Sequence, residues 1–268
     1  MSQSSGDNPE VSANAPVATA AAHPRVILAL PAYNEAENLP TLLHAAQAMF
    51  TEAKLDHIIL VVNDGSTDDT AAVVDALAAE GIAVERIDHP RNRGLGAAIR
   101  TSIHESLARS GNPDDIVVNM DADDTHDPAY IPGMVAKIWT EGQDIVIASR
   151  FREGSQEVGV PFGRRVLSRG ARLLFRIFLR LPEVRDYTCG YRAYRASTLQ
   201  TAVEKYGDRL ITREGFACTD ELLVHLSTVT RRVTEVPFVL RYDKKRGKSK
   251  LPLFKTIWET LKMLVVRH

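Results

Sequence analysis

The residues best suited to chemistry in this sequence are Asp121-Ala122-Asp123, two carboxylates at i and i+2 that close the apolar run DIVVNM (115–120). At a turn both can reach one hard divalent cation, and Mg²⁺ takes one or two carboxylates while keeping places for phosphate oxygens and water. A cation held there would neutralise a diphosphate leaving group. The tripeptide is common by chance, and its weight comes from its place after a strand-like run. Two further polar loops are placed the same way: PAYNEAENLP follows RVILAL (25–30), and NDGSTDDT follows HIILVV (57–62). In the second, Asp64-Gly65 forces a turn and Ser66 or Thr67 can cap the next helix. Acidic loops are ordinary on surfaces, but that does not explain why they follow apolar strands so regularly.

Other patterns narrow the chemistry. RNRGLGAA (91–98) reads as a loop whose glycines permit close backbone approach before a helix starts, and it lacks the GxGxxG pattern of a dinucleotide fingerprint. The eight histidines show no HxxxH or HExxH spacing, so none is singled out as a zinc ligand, although His126 follows the acidic pair. Cys189 and Cys218 stand 29 residues apart without metal-ligand spacing and read as packed, reduced thiols of a reducing cytoplasm. Arg150 directly follows the run DIVIAS (144–149).

These groups need a frame. Five runs of strand length (25–30, 57–62, 82–87, 115–120, 144–149) alternate with helical patterns over 36–50, 68–80, 94–109 and 128–140. Such alternation predicts an α/β fold with right-handed crossovers and a mostly parallel central sheet flanked by helices, with binding loops at the carboxyl ends of the strands. Residues 1–24, rich in Ser, Ala, Pro and Asn, read as a disordered tail and carry no secretory signal; residues 25–268 read as a single catalytic domain. A composition of 44% hydrophobic and 25% charged residues excludes a chain disordered throughout, a collagen and a disulfide scaffold. No uncharged apolar run is long enough for a transmembrane helix.

The net charge of −1 conceals a division. Residues 1–149 carry 8 Lys and Arg against 22 Asp and Glu, residues 150–268 carry 25 against 12, and the halves are thus −14 and +13. Such asymmetry points to an anionic partner, or to two halves that neutralise each other in one body. Within the basic half, 164–181 places Leu167, Ala171, Leu174, Phe178 and Leu181 on one helical stripe with most arginines off it. A second candidate, LPLFKTIWETLKMLVV (251–266), repeats Phe254, Ile257, Trp258, Leu261, Leu264 and Val265 at helical intervals. Either could pack on the sheet; together they read as amphipathic helices at a membrane interface. The run YDKKRGKSK (242–250) has no interleaved aromatic platform, so no nucleic-acid partner is expected.

PAYNE, VVNDGSTDDT, RNRGLGAA, MDADDTHDP and ASRF, in this order, resemble the family-two glycosyltransferases, which have a nucleotide-sugar-binding α/β fold. VRDYTCGYRAYR and GKSKL resemble the polyprenol-phosphate sugar transferases within it, the dolichyl-phosphate mannose synthases among them. The resemblance spans 25 to about 262 and divides the domain into a nucleotide-binding half (25–149) and an acceptor and membrane-interface half (150–268). It implies that Pro31, Tyr33 and Glu35 line the base and ribose pocket, and that Asp64 accepts from the base, with Asn63 where relatives carry a second aspartate. It implies that Asp121, Ala122 and Asp123 hold the diphosphate and a Mg²⁺ or Mn²⁺ ion. Thr125 stands where relatives often place a metal-directed polar residue.

On the basic side the resemblance implies that Arg150, Arg164 and Ser168 grip an acceptor phosphate, with Arg165 an alternative to Arg164. A guanidinium fork suits phosphate bidentately. Asp186, Tyr187 and Gly190-Tyr191-Arg192 would lie near the reacting sugar, Glu221 would shape the donor pocket, and Lys244, Arg246 or Lys250 would reach the diphosphate. Asp123, Arg150 and Asp186 are the candidate catalytic residues. The activity so implied is inverting transfer of a hexose, from GDP-mannose first and UDP-glucose second, to a polyprenyl or dolichyl monophosphate. The enzyme would be peripheral on the cytoplasmic membrane face, with a separate anchor protein a possible partner. The alternatives are a soluble transferase acting on a sugar hydroxyl, with Asp186 or Asp220 as base, and a non-catalytic nucleotide-binding peripheral membrane protein.

Overall fold

The computed structural model describes residues 23–244 except 162, 164–169, 171, 173, 174, 178, 180 and 216. Arg164, Ser168, Arg246, Lys250 and the C-terminal helical pattern lie outside the described residues, as do residues 1–22. Nine strands are described: β1 (Val26–Ala32), β2 (His57–Asn63), β3 (Val84–Asp88), β4 (Ile116–Asn119), β5 (Ile145–Ser149), β6 (Gln156–Val158), β7 (Arg192–Arg195), β8 (Val233–Pro237) and β9 (Val239–Arg241). Six α-helices have bounds among the described residues: α1 (Leu39–Ala53), α2 (Thr70–Ala79), α3 (Leu95–Arg109), α4 (Ile131–Trp139), α5 (Ala196–Tyr206) and α6 (Ala217–Leu226).

Seven strands form one sheet in the order β3-β2-β1-β4-β7-β5-β8, and β6 pairs with β9 in a second, two-stranded sheet. In the large sheet only β7 runs antiparallel, against both β4 and β5. The expected strands are all present. Val26–Leu30, Ile59–Val62 and Ile145–Ala148 have no exposed surface, which is what helices on both faces of a parallel sheet require. Helix α1 buries Leu39, Leu42, Leu43, Ala46 and Phe50, a stripe at helical spacing. Each large side chain so removed from water stabilises the fold by roughly 1.5–3 kcal/mol.

Helix α1 begins three residues later than the sequence pattern suggests, for a visible reason. The amides of Asn34, Glu35 and Ala36 donate to Ser66 Oγ, Thr70 Oγ1 and Asp68 Oδ2, at 2.9, 3.0 and 3.2 Å. The loop after β1 is therefore tied to the loop after β2 and cannot join the helix. Asn34 takes a left-handed φ of 57° and its Oδ1 accepts from the Thr67 amide at 2.8 Å, closing the same union from the other side.

Candidate functional site

Because β1, β2, β4 and β5 are parallel, the loops after them gather at one edge of the sheet. Strand β7 enters from that edge, so the residues before it, 186–191, join the group. On the acidic side, Pro31 and Tyr33 are half-buried, and Glu35 accepts from Asn38 Nδ2 at 2.6 Å. Asp64 is buried and organises the next segment: Oδ1 accepts from His89 Nδ1 (2.6 Å) and the Arg93 amide (2.9 Å), and Oδ2 accepts from the Gly94 amide (2.8 Å). With the proton on Nδ1, His89 Nε2 accepts from Thr101 Oγ1 at 2.9 Å. Asn63 is also committed: its amide donates to Asp88 at 2.7 Å and its oxygen accepts from the Ser66 amide at 3.1 Å. A second aspartate at 63 would face Asp88 as a like charge.

Glycines let these loops meet. A Cβ on Gly65 (φ 65°) would lie 2.2 Å from the Arg91 carbonyl carbon, so the 89–94 loop rests directly on this turn. A Cβ on Gly96 would lie 2.1 Å from the Arg213 carbonyl oxygen. That second approach is fixed from the far side by Glu221, which is buried and accepts from the Thr212 amide (2.7 Å), Thr212 Oγ1 (2.6 Å) and the Arg213 amide (2.9 Å).

At the end of β4, Asp121 is half-buried, Ala122 and Asp123 are buried, and Asp124 turns the chain with a left-handed φ of 57°. Thr125 Oγ1 donates to Asp123 Oδ1 at 2.6 Å, so this hydroxyl steadies a carboxylate. His126 stacks on Tyr191 (ring centroids 5.2 Å apart) and meets the edge of Phe238 at 5.6 Å, while the Tyr191 hydroxyl donates to the Asp127 carbonyl at 3.0 Å. The acidic turn is thus braced by the residue just before β7 and by the one that joins β8 to β9. Among the described residues no group of three or more His, Cys, Asp or Glu side chains is arranged to hold a metal. Two carboxylates beside an open edge nevertheless fit a Mg²⁺-like ion that draws its remaining ligands from phosphate and water.

Across the edge, Arg150 and Asp186 form a buried pair. Asp186 has no exposed side-chain surface; Arg150 Nε reaches Oδ2 at 2.7 Å and Nη2 reaches Oδ1 at 2.6 Å, while Nη2 also donates to Thr188 Oγ1 at 2.7 Å. Burial alone would push the Asp186 carboxyl up, but the Arg150 charge and its hydrogen bonds outweigh burial and hold it below the usual range. The Arg150 guanidinium is raised in return, against the opposing effect of its own burial. Arg192 is fully buried and spends its guanidinium on the carbonyls of Thr219 and Tyr187, both at 2.6 Å. It joins α6 to the loop before β7 and faces the interior. Cys189 and Cys218 are free and buried, and burial pushes the Cys189 thiol up to about 12, which keeps it neutral. Backbone geometry carries the chain to Lys244 in a short 3₁₀ turn, Tyr242–Lys244, held by the Arg241 amide on the Thr125 carbonyl at 3.1 Å.

Three organising residues have no signal in the sequence: His89, Arg152 and Glu235. Glu235 is buried on β8 and receives Arg152 Nε at 2.9 Å. Each partner lies far away in the chain, so no local pattern exposes the pair.

With this geometry in hand, comparison with known proteins is decisive on family. Residues 28–202 match the model of glycosyl transferase family 2. The chain belongs to that family. It is therefore a glycosyltransferase, and the loops at the sheet edge are those of a family-2 fold. The chain is 33% identical over 227 residues to an undecaprenyl-phosphate mannosyltransferase of Micrococcus luteus, covering 85% of this chain and 87% of the relative. It is 32% identical over 228 residues to a polyprenol monophosphomannose synthase of Mycolicibacterium smegmatis, covering 85% and 81%. Among solved structures, glucosyl-3-phosphoglycerate synthase of Mycobacterium tuberculosis, in complex with Mn²⁺, uridine diphosphate and glucosyl-3-phosphoglycerate, superposes with a TM-score of 0.64 at 21% identity, over 91% of this chain and 80% of that one. At that identity the likeness shows the shared fold.

Proposed function

We propose that this family-2 glycosyltransferase moves a hexose, mannose from GDP-mannose before glucose from UDP-glucose, onto a polyprenyl monophosphate with inversion at the anomeric carbon. The relatives named for undecaprenyl and polyprenol phosphate support the acceptor class. The observation that carries the reading is the state of Arg150. Its Nε and Nη2 are held by Asp186 and Thr188, and its Nη1 makes no protein hydrogen bond among the described residues. A guanidinium fixed along its Nε–Nη2 edge has Nη1 left to offer, so it can meet a phosphate oxygen through that one nitrogen in a preset direction.

The acceptor then needs no general base. A phosphate monoester with a second pKa of about 6 is mostly dianionic at neutral pH and is itself the nucleophile. Asp186 suits this scheme better than it suits proton abstraction, because its carboxylate is buried and paired with a cation. That pairing argues against the soluble hydroxyl-acceptor alternative with Asp186 as base. Asp121 and Asp123 are the residues that would hold Mg²⁺ or Mn²⁺, which when bound offsets charge on the departing nucleoside diphosphate. Pro31, Tyr33 and Glu35 take the nucleotide in this reading, Asp64 acts through the loop that its buried carboxylate holds, and the roles of Arg164, Ser168 and the 244–250 segment toward the phosphates remain those that the resemblance implies.

No described helix is long and apolar enough to cross a membrane. In the 163–181 stretch, Phe175, Leu179 and Leu181 are buried while Ile177 is 56% exposed beside exposed Arg176. An exposed isoleucine flanked by arginine supports contact with a lipid headgroup layer, and we place the enzyme peripherally on the cytoplasmic face. The test is direct: purified protein, Mn²⁺ and polyprenyl phosphate are incubated with radiolabelled GDP-mannose or UDP-glucose, and label is followed into organic solvent. Label should enter the lipid fraction from one donor; absence of lipid label from both overturns the reading.

A further inference from the structure

Glu235 is a buried carboxylate that the reaction above does not use. It lies in the middle of β8 with no exposed side-chain surface. Its Oε1 accepts two backbone amides, Arg185 at 2.6 Å and Asp186 at 2.5 Å, and its Oε2 accepts from Arg152 Nε at 2.9 Å. Arg152 Nη2 in turn donates to the Glu183 carbonyl at 2.5 Å. Residues 183–186 are therefore clamped to β8 from two directions. Removing a carboxylate from water is costly unless its lone pairs are satisfied, and burial pushes the Glu235 carboxyl up although both amides work against that.

What the clamp delivers is the position of Asp186. That carboxylate accepts the Arg150 amide at 3.0 Å as well as the guanidinium, so Arg150 is fixed at both ends of its side chain. We propose that Glu235 is a positioning residue for the acceptor phosphate: by fixing the backbone of Arg185 and Asp186 it aims Asp186 at Arg150, and so presents the Arg150 guanidinium to the incoming anion. The inference rests on the phosphate-acceptor reading. An arginine left free must lose rotamer freedom when it binds, whereas one already aligned loses little.

A second arginine–carboxylate pair, with the carboxylate buried and the arginine exposed, supplies the control. Asp144, at the opposite end of β5, binds Arg232 through Nε (2.9 Å) and Nη2 (2.8 Å), far from the loop edge. Its loss should weaken the fold and leave substrate discrimination alone.

Steady-state transfer is measured against both substrates. Glu235→Ala should raise the acceptor KM about tenfold, the usual scale when a buried hydrogen-bond partner is removed, with the donor KM within about twofold of wild type. Glu235→Gln, which keeps an oxygen for the two amides, should recover most of the loss. In an Arg150→Ala background, Glu235→Ala should add less than about twofold, because two residues acting through one contact are not additive. Asp144→Asn should lower the melting temperature without moving the acceptor KM. If Glu235→Ala does not fold, Glu235→Asp, whose shorter stem withdraws the carboxylate from the amides, takes its place with the same expectation. Equal rises in both KM values, full additivity with Arg150→Ala, or an unchanged acceptor KM in a folded variant overturns the inference alone. Wild-type protein that labels no lipid phosphate overturns the acceptor reading and this inference with it.

Discussion

Asp123 and Asp186 are both buried carboxylates, and the proposed reaction gives them opposite tasks. Asp123 accepts from the Thr125 hydroxyl at 2.6 Å and the Thr125 amide at 3.3 Å beside the half-buried Asp121, and in the proposed reading the two carboxylates meet a cation that arrives with the nucleotide. Asp123→Asn keeps the shape and the Thr125 contact while removing the charge. It should lower transfer by about a hundredfold or more, the scale of a preorganised electrostatic contact, with an unchanged urea midpoint. Full activity of that variant would rule out the metal assignment. Asp186 instead meets its cation inside the protein. Asp186→Asn strands the Arg150 charge and should cost about 3–5 kcal/mol in denaturant unfolding. Because the native carboxyl lies below its ordinary value of 3.8, its stabilising effect is fully present above that pH and is lost as pH falls through the depressed native value. The difference between wild type and Asp186→Asn should therefore shrink on acidification below about pH 4, which urea melts at pH 6 and pH 3 would read. The two residues were also unequally legible. Asp123 is visible in the sequence because it ends an apolar strand, whereas the pairing of Asp186 with Arg150 spans 36 residues and that of His89 with Asp64 spans 25, distances over which local patterning says nothing.

At the scale of elements, the parallel strands and their helices were readable because burial on both faces leaves continuous Val, Ile and Leu. The later strands were not. β7 is four residues long and contains two arginines, one of them fully buried, so its apolar signal is interrupted where the structure needs a cation. β6 and β9 are three residues each and pair only with one another. The register of α3 against the segment before α6 turns on one hydrogen atom. Gly96→Ala would place a methyl group 2.1 Å from the Arg213 carbonyl, a contact that must displace backbone on both sides. We expect a loss of about 1–3 kcal/mol together with weaker donor binding, since the Asp64-bound loop leads directly into α3. Gly133 in α4 is the counterpart, exposed and with nothing within 4 Å of an added Cβ. Gly133→Ala should raise stability by about 0.5–1 kcal/mol by favouring the helix. Chemical denaturation of the pair separates packing at the site from helix propensity, and a stabilising Gly96→Ala would contradict the close approach.

For the whole molecule, the charge division along the chain becomes a division across one sheet. Residues 1–149 supply β1 to β5 and residues 150–268 supply β7 and β8, and β7 is inserted between β4 and β5. The acidic turn at Asp121 and the cationic Arg150 therefore stand at the ends of strands separated by a single strand. In the proposed reading the basic half faces an anion, and a lipid surface is the anion that would also account for Ile177, the large hydrophobic residue left exposed among the described residues. Each arginine near an anionic leaflet contributes about 1 kcal/mol, and the contribution fades once salt shortens the Debye length below about 10 Å. An isoleucine side chain entering the acyl boundary adds roughly 1.5–3 kcal/mol that salt does not screen. Cosedimentation with anionic vesicles should then fall with added salt for wild type. Ile177→Asp should weaken it by at least about tenfold at every salt concentration, because the variant loses the unscreened part. Transfer to a short, water-soluble isoprenyl phosphate should be untouched by Ile177→Asp, since Ile177 has no place in the donor or phosphate seat. A variant that keeps full vesicle binding would mean that the exposed isoleucine serves some surface other than lipid, and one that loses transfer to the soluble acceptor would mean that it shapes the site.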